Sequence, residues 1–182
     1  SAPDESAALP SLDDFTDRNL FGTVRPRKAA DYKRFSQDMF AIWVRQMTEA
    51  LRGNGNRAQL ITVGQDEGGL SERPNPLFFG KSIDFTCMHT WWNNDAQAWD
   101  AVLSALPDRP MLVEETGMMR YERVDGTPWR TEDEAARLLE RKLAIAVGSG
   151  SSGYVQWIWN TNPFMASDNE AGIGFFRADG TA

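Results

Sequence analysis

The stretch Arg109–Met119, "RPMLVEETGMM", decides how the rest of the chain is read. A proline leads into three apolar residues, which run directly into two adjacent carboxylates, a threonine and a glycine. A short apolar run of this kind reads as a buried strand. Burying a charge is costly unless it is paired or put to use. Either the strand surfaces at Glu114 and Glu115, or one of the two stands at the mouth of a site. Period-two alternation groups Met111, Val113 and Glu115 on one face, expected to be the interior one, and turns Glu114 towards surrounding helices or loops. A carboxylate so placed can serve as nucleophile or acid/base. The bland reading is an ion pair with Arg120 or Arg130.

Working outward, the spacing predicts a helix over about 30–52, where Tyr32, Phe35, Met39, Trp43, Met47 and Leu51 recur every three or four residues. "GNGN" at Gly53–Asn56 ends it. "QLITVG" (Gln59–Gly64) is a short apolar strand, and "SIDFTCMHTWW" (Ser82–Trp92) a second, with Ile83, Phe85, Cys87 and His89 on one side. A helix over about 95–106 is expected to bury Trp99, Val102, Leu103 and Leu106. "PMLVEE" is the third strand. "TEDE" at Thr131–Glu134 is a capping box opening a helix to about Val147. "GYVQWIWN" (Gly153–Asn160) is the fourth strand. No short repeat is present.

Alternating strands and helices argue for a parallel sheet with right-handed crossovers. The loops after strands, such as 66–81 and 117–130, are long and polar, whereas the returns from helix to strand are short. That asymmetry is the habit of a TIM (β/α)₈ barrel, whose sites form at the carboxyl ends of its strands. Four strands are half a barrel, so a small open α/β sheet is the alternative.

Each strand delivers polar or aromatic groups at its carboxyl end. The first offers Gln65, Asp66 and Glu67; the second His89, Thr90, Trp91 and Trp92; the third Glu114 and Glu115; the fourth Trp159, Asn160 and Asn162. His89 is the sole histidine, and a lone histidine after an apolar strand is more often structural. Adjacent tryptophans cannot both face inwards, so Trp91 or Trp92 reads as a platform on which an apolar sugar face could stack. The glycines around Asp66 and Glu67 also suit a plain turn.

Composition narrows the partners. With 19 basic against 26 acidic residues, the net charge of −7 argues against nucleic acid. No apolar run approaches the roughly 18 residues of a membrane span. One cysteine and one histidine speak against a zinc site, and Cys87 can form no internal disulfide. The 7 tryptophans and 10 phenylalanines, against 3 tyrosines, suit either a large core or an aromatic-lined site.

In order and spacing, "ITVGQDEGG", "IDFTCMHTWW", "MLVEETG" and "GYVQWIWN" resemble strands five to eight of the retaining glycoside hydrolases with (β/α)₈ barrels, the clan of cellulases, β-mannanases and β-galactosidases. The resemblance spans about residues 30–180. It implies that Glu115, separated from Gly117 by one residue, is the nucleophile. It implies that His89 orients that nucleophile or a sugar hydroxyl, and that Trp159 lies beneath the sugar in the cleaved subsite. Trp91, Trp92, Asn160 and Asp66 are further expected substrate-binding groups. Residues 1–29 become an irregular lead-in after strand four, and 30–182 the C-terminal half of a catalytic domain.

One departure from the clan's pattern is plain. Its acid/base is the glutamate of an Asn-Glu pair ending strand four, and no such pair precedes the first helix here. The only one, Asn169–Glu170, follows strand eight. The acid/base is therefore expected outside this chain, with Glu67 as the alternative within it. The resemblance implies an oligosaccharide or polysaccharide substrate, an N-terminal half-barrel as partner, no metal and no cofactor. An exported protein is favoured over a cytoplasmic one. The competing readings are an inactive carbohydrate-binding barrel and a self-contained or self-pairing interaction domain.

Overall fold

The computed structural model describes residues 9–16, 26–55, 58–64, 75–90, 94–118, 127–162, 164 and 173–181. A 3₁₀ turn, Leu12–Phe15, precedes α1 (Pro26–Asn54). A short helix α2 (Pro76–Phe79) and a 3₁₀ turn (Gly80–Ser82) lead into β1 (Thr86–Thr90). Then come α3 (Asn94–Ser104), β2 (Met111–Thr116), α4 (Glu132–Gly148) and β3 (Gly153–Gln156). The strands form one parallel sheet in the order β1-β2-β3. The alternation of strand and helix is thus as the sequence implies.

Capping sets the best-defined boundary. The Thr131 side chain accepts from the Glu134 N–H while the Glu134 carboxylate accepts from the Thr131 N–H, so α4 opens on the expected capping box. That bond, followed by the Thr131 hydroxyl, holds the Glu134 carboxyl below the ordinary carboxylate range.

The structure corrects two expectations about strands. Residues 58–64 form no strand, so the described sheet has three rather than four. The segment still lies beside β1, held largely by side chains. The Ile61 N–H donates to the Asp84 carboxylate at 2.7 Å, and the Thr62 hydroxyl donates to Phe85 O at 2.7 Å. The Cys87 thiol donates to Val63 O at 2.7 Å. Bonds of this kind use the backbone groups that a ladder would need. The Ile61 N–H, with Arg52 after it, also keeps the Asp84 carboxyl below its usual range. The last strand stops at Gln156, before Trp157, Trp159 and Asn160.

Helix packing differs as well. The stripe Tyr32, Phe35, Met39, Trp43, Met47 and Leu51 is between 39% and 59% exposed, while Ala29 and Val44 are buried. Val44 packs with Phe79 and Ile83, flanked by Phe40, Ala41 and Val63. Likewise Trp99, Val102 and Leu103 are exposed, and α3 presents Gln97, Ala101 and Ser104 to the interior instead. Small residues allow close approach of helix to sheet. Periodicity finds an apolar face, but two adjoining apolar faces leave open which one the fold covers.

The core between sheet and helices joins Met88 of β1, Met111 and Val113 of β2, Ala101 of α3 and Ala146 of α4, with Tyr154 of β3 against it. This cluster defines the helix side of the sheet. The functional candidates occupy the other side.

Candidate active site

The geometry turns on one extra residue. Thr86, Cys87 and Met88 pair with Met111, Leu112 and Val113 in sequence, but the next pairs are His89 with Glu115 and Thr90 with Thr116. Glu114 is the residue left over, a β-bulge. Since Met111 and Val113 face the helices, simple alternation would send Glu115 into that apolar layer. Glu114 has the opposite phase, and the bulge lets Glu115 follow it. Both glutamates approach His89, which alternates with the helix-facing Met88.

This overturns the expected face of the strand. Met111 and Val113 line the helix side, not the interior of a barrel, and Glu114 is not directed towards the helices. The imidazole lies between the carboxylates: His89 Nε2 is 3.5 Å from Glu114 Oε2, and His89 Nδ1 is 3.7 Å from Glu115 Oε2. These distances suit ion contacts to a protonated ring and exceed ordinary hydrogen bonds. The side chains of His89, Glu114 and Glu115 are 17%, 29% and 25% exposed, sheltered yet open to a small ligand.

Glu114 Oε2 is buried and has no hydrogen-bond partner, a condition that calls for an explanation. Gly64 supplies part of one. A Cβ at that position would lie 3.3 Å from Glu114 Oε2, so glycine leaves room for the carboxylate. The end of the 58–64 segment therefore reaches the site, and Gln65, Asp66 and Glu67 follow it in sequence. Asp66, Glu67, Trp91 and Trp92 lie outside the described residues.

Thr116 joins the strand ends. It pairs with Thr90 on one side and Gln156 on the other, and its carbonyl accepts from the Trp157 N–H at 2.8 Å. Trp157, 37% exposed, thus follows β3 directly beside the end of β2. Its peptide bond to Ile158 is cis. Trp159 is more exposed, at 68%, and its ring packs on Phe176 with centroids 4.9 Å apart. Asn160 pairs with the same residue in a parallel bridge. Gly174 allows this tail to close in, since a Cβ there would clash with the backbone of Asn160 and Thr161.

Of the expected site residues, then, the structure brings His89 and Glu115 together and ties Trp159 and Asn160 to the tail. Sequence reasoning turned Glu114 away from the site, because alternation carries no warning of a bulge. It also missed Trp157, which it placed inside a strand. Lys142 was passed over too, although a signal existed. Leu138, Leu139, Lys142 and Ala146 fall at helical spacing on the inner face of α4, where a lysine is out of place.

The arrangement offers two carboxylates and an imidazole at the carboxyl ends of parallel strands. Such groups can attack an electrophilic carbon or move a proton. Among the described residues no group of three or more His, Cys, Asp or Glu could hold a metal ion. No described helix is long and apolar enough to cross a membrane.

Comparison with solved structures defines the class of fold: an α/β unit like part of certain glycoside hydrolases. A polyextremophilic β-galactosidase from the Antarctic haloarchaeon Halorubrum lacusprofundi matches 88% of this chain at 15% identity, with a TM-score of 0.63. A β-1,3-glucanosyltransferase from Rhizomucor miehei matches 80% at 14% identity and TM-score 0.58. An exo-β-1,4-mannosidase from Opitutaceae bacterium strain TAV5 matches 80% at 17% identity and TM-score 0.56. The chain spans 26%, 55% and 30% of these proteins respectively. No family model and no curated protein sequence matches it.

Proposed function

We propose that this chain supplies strands five to eight of a (β/α)₈ barrel, and with them the nucleophile of a retaining glycoside hydrolase. The observation that carries the reading is the bulge, which puts Glu115 and Glu114 against the single histidine at the carboxyl ends of β1 and β2. The likeness in fold to a β-galactosidase, a mannosidase and a glucanosyltransferase supports the same chemistry. The exposed apolar residues of α1 and α3 support a further layer of protein packed around this unit.

In this reading Glu115 attacks the anomeric carbon of a β-glycoside and forms a glycosyl-enzyme. A second carboxyl, about 5–5.5 Å away, protonates the departing oxygen and then takes a proton from the water that releases the sugar. That acid/base comes from the complementary strands, with Glu67 as the candidate inside this chain. His89 lies between the two carboxylates, with one ring nitrogen towards Glu115 and the other towards Glu114. Trp157 or Trp159 provides an apolar platform for the sugar ring.

The test is covalent trapping. The complete native polypeptide, with whatever completes the barrel, is incubated with 2-fluoro β-glycosides of galactose, glucose, mannose and glucuronic acid, then digested and mapped by mass spectrometry. A sugar on Glu115 is the expected result. A label on Glu114 would move the nucleophile by one residue. Failure of every probe, with intact binding of oligosaccharides, would favour the inactive carbohydrate-binding barrel.

A further inference from the structure

The one charged side chain in the core between sheet and helices, among the described residues, is Lys142 of α4, 0% exposed. Its Nζ donates to Thr90 O at 3.0 Å and to Thr116 Oγ1 at 3.0 Å, and the Thr116 hydroxyl donates to Thr90 O at 2.5 Å. Gln97 of α3, equally buried, fixes the helix at this level by donating to Lys142 O at 2.8 Å. The lysine therefore grips the second pair after the bulge, Thr90 and Thr116, next to the His89–Glu115 pair. Through Thr116 it also reaches Gln156 and Trp157 at the end of β3.

Burying an ammonium group is costly, and an apolar residue would suit this helix position without that cost. What the charge adds is register. A strand carrying one extra residue can pair in two ways, and a slip of one residue reverses which side chains face which side. With Thr90 held to Thr116, the residue opposite His89 must be Glu115, and Glu114 must bulge. Without that clamp, His89 could pair with Glu114, and Glu115 would turn towards Met88 and Val113.

We propose that Lys142 is a positioning residue for the His89–Glu114–Glu115 cluster: from the helix side of the sheet it selects the bulged register that turns both carboxylates to the imidazole. It touches no substrate. Its purpose rests on the proposed hydrolase reading, whereas its geometry does not.

The test uses the chain's only histidine, whose ring nitrogens give a single set of NMR signals. Burial brings the Lys142 amine down to about 8, so its proton leaves within an accessible pH range. Among the groups that meet it are the Thr90 carbonyl on β1 and the Thr116 hydroxyl on β2. Tyr154 on β3, whose own hydroxyl burial pushes up to about 12, also engages Thr116. In the wild-type chain the His89 ring signals should show a step near pH 8. The substitution Lys142→Met, of similar shape and without the charge, should remove that step and displace the His89 signals at pH 6.5. Unchanged His89 signals in Lys142→Met would overturn the proposal. So would His89 signals that stay unchanged in the wild type across the pH range in which the Lys142 amine loses its proton, a result that needs no variant to fold. Neither measurement depends on sugar chemistry, so a trapping failure would leave the positioning role standing, and the reverse also holds.

Discussion

On the helix side of β2, Met111 and Val113 are closed off by Met88, Ala101 and Ala146. On the other side, Leu112, Glu114 and Glu115 are only partly covered, and the acids stand around His89. The same six-residue strand thus builds a dry layer and a polar one. The difference shows how stability and chemistry are separated here: the helix side holds the strand in place, and the bulge lets its end carry two acids without burying either in the core. Lys142 is the exception that connects the two, a charge on the dry side that governs groups on the polar side.

The largest expected effect falls on the polar side. Glu115→Gln should abolish sugar trapping and lower hydrolysis by the complete enzyme on the order of 10⁴-fold or more, the scale on which losing part of a catalytic unit is read. Its unfolding free energy in urea should stay close to wild type, since the carboxylate sits outside the core. A large loss of stability in that variant would break the separation of the two sides.

Next comes the dry side. Met88→Ala removes a fully buried side chain from the cluster between sheet and helices and should cost about 2–5 kcal/mol in denaturant melts. A cost below that range would mean that the layer collapses around the gap and is less tightly packed than its burial implies.

Lys142 sharpens the comparison through pH. Its amine falls from 10.5 to about 8 in the fold because burial disfavours the charge. Between those values the unfolded chain binds more protons than the folded one, so stability should rise with pH across that window. At about 1.4 kcal/mol per pH unit the full gain is about 3 kcal/mol. Below pH 8 both states are protonated and the effect is flat. Equilibrium melts from pH 7 to 10.5 should show the rise in wild type and lose it in Lys142→Met.

The smallest expected effect is at Gly64. Alanine there must displace the Glu114 carboxylate by a few tenths of an ångström, at a cost of about 1 kcal/mol. The His89 NMR signals should shift even where the melting curve barely does. Silence in both would mean that the 58–64 segment does not press on the site.

Much of this molecule can be read from local patterns. The capping box at Thr131 and the apolar runs of β1 and β2 are properties of neighbours in sequence, and each forms within the stretch expected, although β1 begins at Thr86 rather than Ser82. The pairing of polar strand ends with a histidine was also legible, since His89 and Glu115 each close an apolar run. Failures came where distance along the chain intervenes. Residues 58–64 look like a strand but bond instead to the Asp84 carboxylate, the Phe85 carbonyl and the Cys87 thiol. The exposed stripe of α1 and the outward Trp99 carry the right period for a packed face, yet other residues of the same helices meet the core.

The sequence by itself determined the three longer helices and the strands β1 and β2, because dihedral preference, capping and periodicity act over a few residues. Only the tertiary structure decided which face of each was covered, and that Glu114 would bulge. Strand register depends on residues such as Lys142, 26 positions beyond Thr116 in sequence and 3.0 Å from it in space. No local pattern contains that contact, and it is what places both glutamates beside His89.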